Sequence, residues 1–223
     1  MGCNLIMNKQ NENKIEWCDA TINPVVGCPR GCEYCYAKRM NDRFGIIEDF
    51  SNPQFFPERL KALYNKIPKA IFMNSMSDFA LWEETTQEEV YRECYINPQH
   101  RYLFLTKEYD FEPSNCPTIY YGLTIVTNAD VYKSHTGNFD FYSIEPIHEK
   151  IQLTNIESFK LKAVIIGAET GIRRGKVIPR KEWIDDIVRQ CDAHGIAVFI
   201  KNSLRGIMGK DFRTDKLPWE VSL

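Results

Sequence analysis

Apolar positions along the 223-residue chain fall into short runs separated by longer stretches with helical spacing. Seven runs rich in β-branched or aromatic residues predict strands over 21–26, 70–74, 102–106, 118–124, 139–144, 163–166 and 197–201. Several are almost continuously apolar, the pattern of a strand buried on both faces of a parallel sheet. Helices are predicted between them. One covers 36–45, and another covers 57–66, with Pro57 at its start and Leu60, Leu63, Tyr64 and Ile67 at helical spacing. A third, over 86–95, opens on a Thr86–Glu89 capping-box pattern. A fourth, over 181–194, sets Trp183, Ile184, Ile187, Val188 and Cys191 on one face and stops at Gly195. Shorter helices are expected over 128–133 and 157–160.

Strands that alternate with helices call for parallel βα units with right-handed crossovers. Eight complete units take about 250 residues, so this shorter chain predicts an incomplete TIM-type barrel of parallel strands. The expected organisation is one domain over 1–223, with a flexible segment at 1–14 and a C-terminal extension at 202–223. An open doubly wound sheet is the runner-up. Its usual first turn is rich in glycine, and cysteines stand there instead.

Composition narrows the class. A hydrophobic fraction of 43% supports a sizeable core and excludes a disordered chain. The 28 Lys and Arg against 30 Asp and Glu give a net charge of −2, which excludes a generally basic, nucleic-acid-coating surface but allows a local basic patch. The first residues are polar, without the apolar stretch of a secretory signal. The longest apolar runs, 163–168 and 196–200, fall far short of the roughly 20 residues that cross a bilayer. A soluble, cytoplasmic protein without a membrane partner is expected.

Eight cysteines stand at positions 3, 18, 28, 32, 35, 94, 116 and 191. A disulfide framework suits short secreted chains, whereas a long chain with a core uses cysteines as ligands, nucleophiles or small buried residues. Cys191, on the apolar face of its helix, reads as core; Cys18, Cys94 and Cys116 stay open between structural residues and hydrogen-atom donors. Cys28, Cys32 and Cys35 form C-x₃-C-x₂-C on the loop between the first strand and the first helix. A structural zinc takes four protein ligands, so a zinc here needs an outside donor from His100, His135, His148 or His194. A [4Fe–4S] cluster on three cysteines leaves one iron open to a small-molecule ligand.

That spacing, with aromatic Tyr34 just before the last cysteine, resembles the signature of radical S-adenosylmethionine enzymes. The resemblance implies a partial (β/α)₆ barrel whose cluster chelates S-adenosylmethionine through its amino and carboxylate groups. It also implies an electron donor of the flavodoxin or ferredoxin kind, and a 5′-deoxyadenosyl radical that abstracts hydrogen from a substrate. Asn23-Pro24, 73–78 (MNSMSD), 105–107 (LTK), 143–146 (SIEP), 165–171 (IIGAETG) and 199–201 (FIK) further resemble a phage-associated family of that superfamily with no assigned substrate. The chain departs from that family's pattern in the spacing of its first two cysteines and at Val126 and Ala168. These departures bear on the substrate rather than on the cluster chemistry.

In βα barrels the chemistry sits at the C-terminal ends of the strands, and each predicted strand end here is polar. By the resemblance, Tyr34 contacts the adenine through its backbone, and Asn74, Ser75, Ser77 and Asp78 receive the amino group of the cofactor. Thr124, Ser143 and Glu145 meet its ribose and carboxylate, and Lys107 belongs to the same cofactor-binding set. Glu169 and Lys201, from later strands, are the catalytic candidates. Glu169 orients or deprotonates substrate, while Lys201 holds an anionic group or pairs with Glu169. Between 173 and 213 the sequence carries ten basic and five acidic residues. Such a cluster suits phosphate and favours a nucleotide or nucleic acid as substrate. The alternatives are a peptide-modifying enzyme of the same superfamily, or a non-catalytic binding module stabilised by zinc or a cluster.

Overall fold

A computed structural model of the chain describes residues 8–9, 15–133, 139–154, 156 and 160–221. It is an α/β protein with a seven-stranded, all-parallel sheet curled into a half-barrel, as the strand–helix alternation predicts. The chain divides into two compact units. The first holds the described residues up to Leu105, Ser114–Tyr120, and the chain from Trp219 onward; the second holds Thr106–Pro113 and Tyr121–Pro218.

The first unit contains β1 (Asn8–Lys9), β2 (Ala20–Thr21), β3 (Val25–Val26), α1 (Tyr36–Phe44), β4 (Gln54–Phe55), β5 (Ala70–Phe72), α2 (Glu84–Ile96) and β6 (Arg101–Thr106). β2 and β6 flank β5 in parallel, and β1 pairs antiparallel with β2. The core here is aromatic. Trp17 packs on Phe72 at 4.8 Å between ring centroids, and Phe79, Tyr91 and Trp82 surround Phe104 edge-on. Trp219, 1% exposed, donates its indole N–H to the Trp17 carbonyl at 2.9 Å and ties the end of the described chain into this core.

The second unit follows with β7 (Ile119–Ile125), α3 (Asn128–Lys133), β8 (Phe141–Ile144), β9 (Ala163–Ile166), α4 (Lys181–Asp192), β10 (Ala197–Ile200) and α5 (Arg205–Met208). β7 to β10 pair in parallel in chain order. All positions of β8 and β9 are buried, which explains their unbroken apolar runs. α4 turns Ile184, Ile187 and Cys191 inward, and Trp183 and Val188 are half-buried at the margins of that face. The 202–223 extension is structured where described. After two short 3₁₀ turns and α5, Thr214 bridges Phe199 antiparallel, and Asp215 exchanges bonds with the Val198 backbone. That backbone covers the open edge of β10, where unpaired strand groups invite aggregation.

Several elements differ from expectation. The 21–26 strand is two pieces, β2 and β3, because after Thr21 the chain leaves the sheet to pair with β4 instead. The 57–66 helix is a 3₁₀ helix over Pro57–Tyr64. α2 begins before the capping box: the Gln87 N–H already bonds the Glu83 carbonyl, and Thr86 is buried inside the helix. Apart from β1, the 1–14 segment lies outside the described residues, as do Cys3, His135 and all but Lys160 of the 157–160 helix. Among the described residues no helix is long and apolar enough to cross a membrane.

Gly122 on β7 faces Phe141 on β8, and a Cβ at Gly122 would sit 2.3 Å from the Phe141 ring. Phe141 is fully buried, so the ring has no room to retreat. Gly122→Ala is expected to destabilise the fold by about 1–3 kcal/mol through overpacking. The shift of the urea midpoint measures it, and an unchanged midpoint would contradict this packing.

Candidate functional site

The cysteine loop is anchored before its first thiol. The β3–β4 hairpin pairs Val25 with Phe55 and Val26 with Gln54. Val26, Ala37, Ile47, Phe50 and Met76 form a small apolar cluster against which Cys28, Cys35 and Phe56 pack. Gly27, at φ 114°, brings the backbone so close that a Cβ would meet Pro53 Cα at 2.9 Å and the Phe50 carbonyl at 3.0 Å. Its N–H bonds the Met76 carbonyl, and the Cys28 N–H bonds that of Phe50. After a turn through Gly31, the Cys35 N–H bonds the Cys32 carbonyl. Cys35 then caps α1, its Sγ accepting from the Lys38 N–H at 3.3 Å.

The seven described cysteines are free thiols; Cys28, Cys32 and Cys35 are half-buried, while Cys18, Cys94, Cys116 and Cys191 are buried. Burial pushes the Cys28 thiol up to about 11, reinforced by Asp78 and Cys32 and opposed by a backbone hydrogen bond at Arg30 and the Arg30 charge. Among the described residues no three His, Cys, Asp or Glu side chains are already gathered into a metal-ligand set. The donor chemistry nonetheless fits a thiophilic centre. Three free, partly exposed thiols lie on one anchored loop, and the last of them caps the N-terminus of α1. Such a loop can hold a cluster. Of the histidines offered as a fourth zinc donor, His100 is buried with Nε2 on the Leu63 carbonyl, His148 lies beside Glu169, and His194 is exposed after α4.

The loop is also stitched to the end of β5 by polar bonds. Asn23 Oδ1 accepts from Ser75 Oγ at 3.0 Å and from the Met76 N–H at 3.1 Å. The Asn23 carbonyl accepts from Arg59 at 2.7 Å. Arg30, between the first two cysteines, donates to buried Asp78 at 2.8 Å, and Tyr36 donates to the Ser75 carbonyl at 2.5 Å. Asn74 turns towards β6, bonding both the N–H and the carbonyl of Leu105, and Ser77 Oγ accepts from the Trp82 indole. Tyr34 is half-buried on the loop. Of these residues only Asn23 stands in a motif visible in the sequence, Asn23-Pro24; Arg30, Tyr36 and Arg59 do not. The Asn-Pro pair is a turn signal that marks Asn23, but the three long side chains carry no local signature.

The second unit gathers a separate polar group. Ile144, Ile166 and Ile200 are in register across β8, β9 and β10, so Glu145, Gly167 and Lys201 come next on successive strands. Lys201 Nζ donates to Glu145 Oε1. The missing side chain at Gly167 makes room for this pair, since a Cβ there would sit 3.0 Å from the Glu145 carboxyl. Lys201 therefore pairs with Glu145 and not with Glu169. Glu169 is buried and takes a bidentate contact from Arg173, 2.7 Å to each oxygen, with His148 Nε2 3.8 Å away. Thr124 and Ser143 stand opposite each other on β7 and β8, and both are buried. Ser143 Oγ has no hydrogen-bond partner among the described residues. Lys107 is half-buried after β6.

The basic segment is largely neutralised from within. Besides Arg173, Lys181 pairs with Asp185 and Asp211, Arg213 with Asp192 and Asp215, and Lys176 donates to the Gly171 carbonyl. Arg174 and Arg180 are exposed, Arg180 lying 5.7 Å over the Trp183 ring.

Over residues 12–210 the chain matches DUF5131, described as a family of proteins of unknown function, and it belongs to that family. Comparisons with curated proteins and with solved structures find no match.

Asn23→Ala removes the acceptor shared by Ser75 and Met76 and is expected to destabilise the fold by about 1–3 kcal/mol. It should also loosen the cysteine loop, so that Cys28 and Cys32 are alkylated faster under native conditions, as read by mass spectrometry. Wild-type alkylation rates would show that Asn23 does not hold the loop.

Proposed function

We propose that this member of DUF5131 is a radical S-adenosylmethionine enzyme whose [4Fe–4S] cluster is held by Cys28, Cys32 and Cys35. One observation carries the reading: three free, half-buried thiols at C-x₃-C-x₂-C spacing lie on an anchored loop that runs into a helix of a parallel half-barrel protein. With cluster and S-adenosylmethionine bound, the chemistry supplied is one-electron cleavage of the sulfonium and hydrogen abstraction by the 5′-deoxyadenosyl radical. The chain's residues do the rest. Arg30–Asp78 and Asn23–Ser75 hold the cysteine loop against β5, so Ser75 and Asp78, with Tyr34 on the loop, are the residues beside the cluster that take the cofactor.

In the second unit, Glu145, Lys201 and Glu169 serve the substrate. Paired with Glu145, Lys201 presents a fixed cation to an anionic group. Glu169, oriented by the bidentate Arg173 contact, is an acceptor for a substrate proton or hydroxyl. The Ser143 hydroxyl, without a partner among the described residues, bonds a bound molecule. A phosphate-bearing substrate, a nucleotide or nucleic acid, is the favoured class. Its recognition rests on Arg174 and Arg180, because Arg173, Lys176, Lys181 and Arg213 are engaged within the fold.

Anaerobic reconstitution of the full chain is expected to give about four irons and four sulfides per chain. Dithionite with S-adenosylmethionine should then release 5′-deoxyadenosine. Cys28→Ala, Cys32→Ala and Cys35→Ala each abolish cluster assembly, whereas Cys191→Ala keeps the iron. Full iron in Cys32→Ala, or one colourless zinc in place of the cluster, would replace this reading with that of a metal-stabilised binding module. Oligonucleotide or nucleotide binding should weaken as salt rises, because neutralised phosphates release counterions. Replacing Arg174 and Arg180 together should flatten that dependence without affecting uncoupled cofactor cleavage. Salt-independent binding would point to a peptide or a neutral metabolite.

A further inference from the structure

The segment that leads from Glu169 to α4 presents apolar side chains to solvent. Ile172 is 103% exposed and Ile178 75%, although isoleucine is among the residues most often buried. The segment is nonetheless anchored. Gly171 and Gly175 turn the backbone at φ 91° and 77°, and Lys176 donates to the Gly171 carbonyl at 2.8 Å, closing the turn that carries Ile172. Arg173 is fixed on Glu169, and Pro179 is buried. A single exposed aliphatic is ordinary on a protein surface. Here two stand on one anchored loop, and each is followed two residues on by an exposed arginine, Ile172 by Arg174 and Ile178 by Arg180. No acidic residue occurs from 170 to 181. The carboxylates at the two ends are engaged, Glu169 by Arg173 and Asp185 and Asp211 by Lys181. Arg174, Arg180 and Lys176, whose partner is a neutral carbonyl, therefore face one exposed counter-charge, Glu182 on the first turn of α4.

We propose that the 170–180 loop opens the base stack of a nucleic-acid duplex, with Ile172 as the wedge and Arg174, Lys176 and Arg180 on the phosphates beside it. The inference rests on the phosphate-bearing substrate proposed above and narrows it from nucleotide or nucleic acid to duplex nucleic acid. A free nucleotide has no stack to enter, and a site for one is concave, with its polar groups converging on the ligand. An outward-pointing isoleucine has no task there. An enzyme that acts on a base inside a duplex must first take that base out of the stack. Aliphatic wedges inserted between base steps are one way to unstack them, and arginines on the flanking phosphates fix the register without reading sequence. The loop is placed for this task, because it starts at the residue after Glu169, one of the groups assigned to the substrate. An acidic protein suits the loop less well. Protein interfaces are centred on a packed patch in which aromatic residues are enriched, whereas these two isoleucines are separated along the loop by three cations.

The test uses the full chain, with and without its cluster, and a short DNA duplex carrying 2-aminopurine, whose fluorescence rises when it leaves the stack. Wild type should bind the duplex in a salt-dependent manner and raise the fluorescence. Ile172→Ala should lose at least half of that rise while weakening binding by less than about threefold, because the phosphate contacts supply most of the affinity. Ile172→Asp should weaken binding by about tenfold, and Ile172→Phe should keep the rise. The urea midpoint of each variant should match wild type, since the side chain is fully exposed. Three results would overturn the proposal: no rise with wild type, a full rise with Ile172→Ala, or a mononucleotide bound as tightly as the duplex. Polyglutamate bound as tightly as the duplex would do so too, and would assign the loop to an acidic protein. Failure of the enzyme reading is separate, because binding and unstacking are measured without the cluster. A chain that unstacks the probe but never assembles a cluster keeps the role of the loop and loses the radical chemistry. A chain that cleaves S-adenosylmethionine and leaves the probe stacked does the reverse.

Discussion

The close approach of Gly27 to Phe50 and Pro53 is the constraint on which the cysteine loop depends. Only a residue without a side chain, at positive φ, lets the backbone run between the Phe50 and Met76 carbonyls and donate an N–H to each, from Cys28 and Gly27 respectively. The three thiols then start from a fixed point. The apolar cluster below them and the bonds from Asn23, Arg30 and Tyr36 above restrict what a loop of this length otherwise samples. A ligand loop that is held before the metal arrives loses less conformational entropy on binding it. Asp78 contributes twice, since its buried carboxylate both anchors Arg30 and raises the Cys28 thiol.

The second unit solves a different problem, that of placing charge in a buried region. An isolated ion there is heavily penalised, and a pair is tolerated when its geometry is good. Glu169 is satisfied by a bidentate guanidinium, the strongest common contact of this kind. Glu145 and Lys201 reach each other only because Gly167 stands between their strands with nothing to interpose. Ser143, on β8 two residues before Glu145, is the exception among these groups. Its hydroxyl is buried without a partner among the described residues, and such groups are uncommon enough in folded proteins to invite a functional reading.

Much of this architecture was legible from hydrophobic spacing. β9 matches its predicted span, and β5, β6, β7, β8 and β10 lie within two residues of theirs at each end. β5, β8 and β9 are buried at every position and β7 at all but one, and burial writes itself into the sequence as unbroken apolar runs. The failures lie where tertiary contacts override local signals. Thr86 and Glu89 spell a capping box, but α2 starts earlier because the chain around Trp82 and Glu83 is already fixed by the aromatic core. The first predicted strand breaks because Pro24 has no N–H to give a ladder, and the chain there turns to β4 instead. The candidate site was legible as a set of residue types at strand ends. Who pairs with whom was not, because Lys201–Glu145 and Arg30–Asp78 span 56 and 48 residues and depend on register and loop path.

The basic stretch after Glu169 shows how pairing within the fold thins a cluster of charge. Ten cations against five anions between 173 and 213 read as a phosphate site. In the fold, Arg173 serves Glu169, Lys181 bridges two aspartates, and Arg213 closes on Asp192 and Asp215. Exposed pairs of this kind add little stability, but each one lowers the field a phosphate would feel. On the proposed reading, an anionic substrate meets exposed cations such as Arg174 and Arg180 together with half-buried, pre-paired Lys201. A cation already bonded to a carboxylate attracts a second anion less strongly than a bare one. It also discriminates better, because the incoming group must compete with Glu145 for the same ammonium.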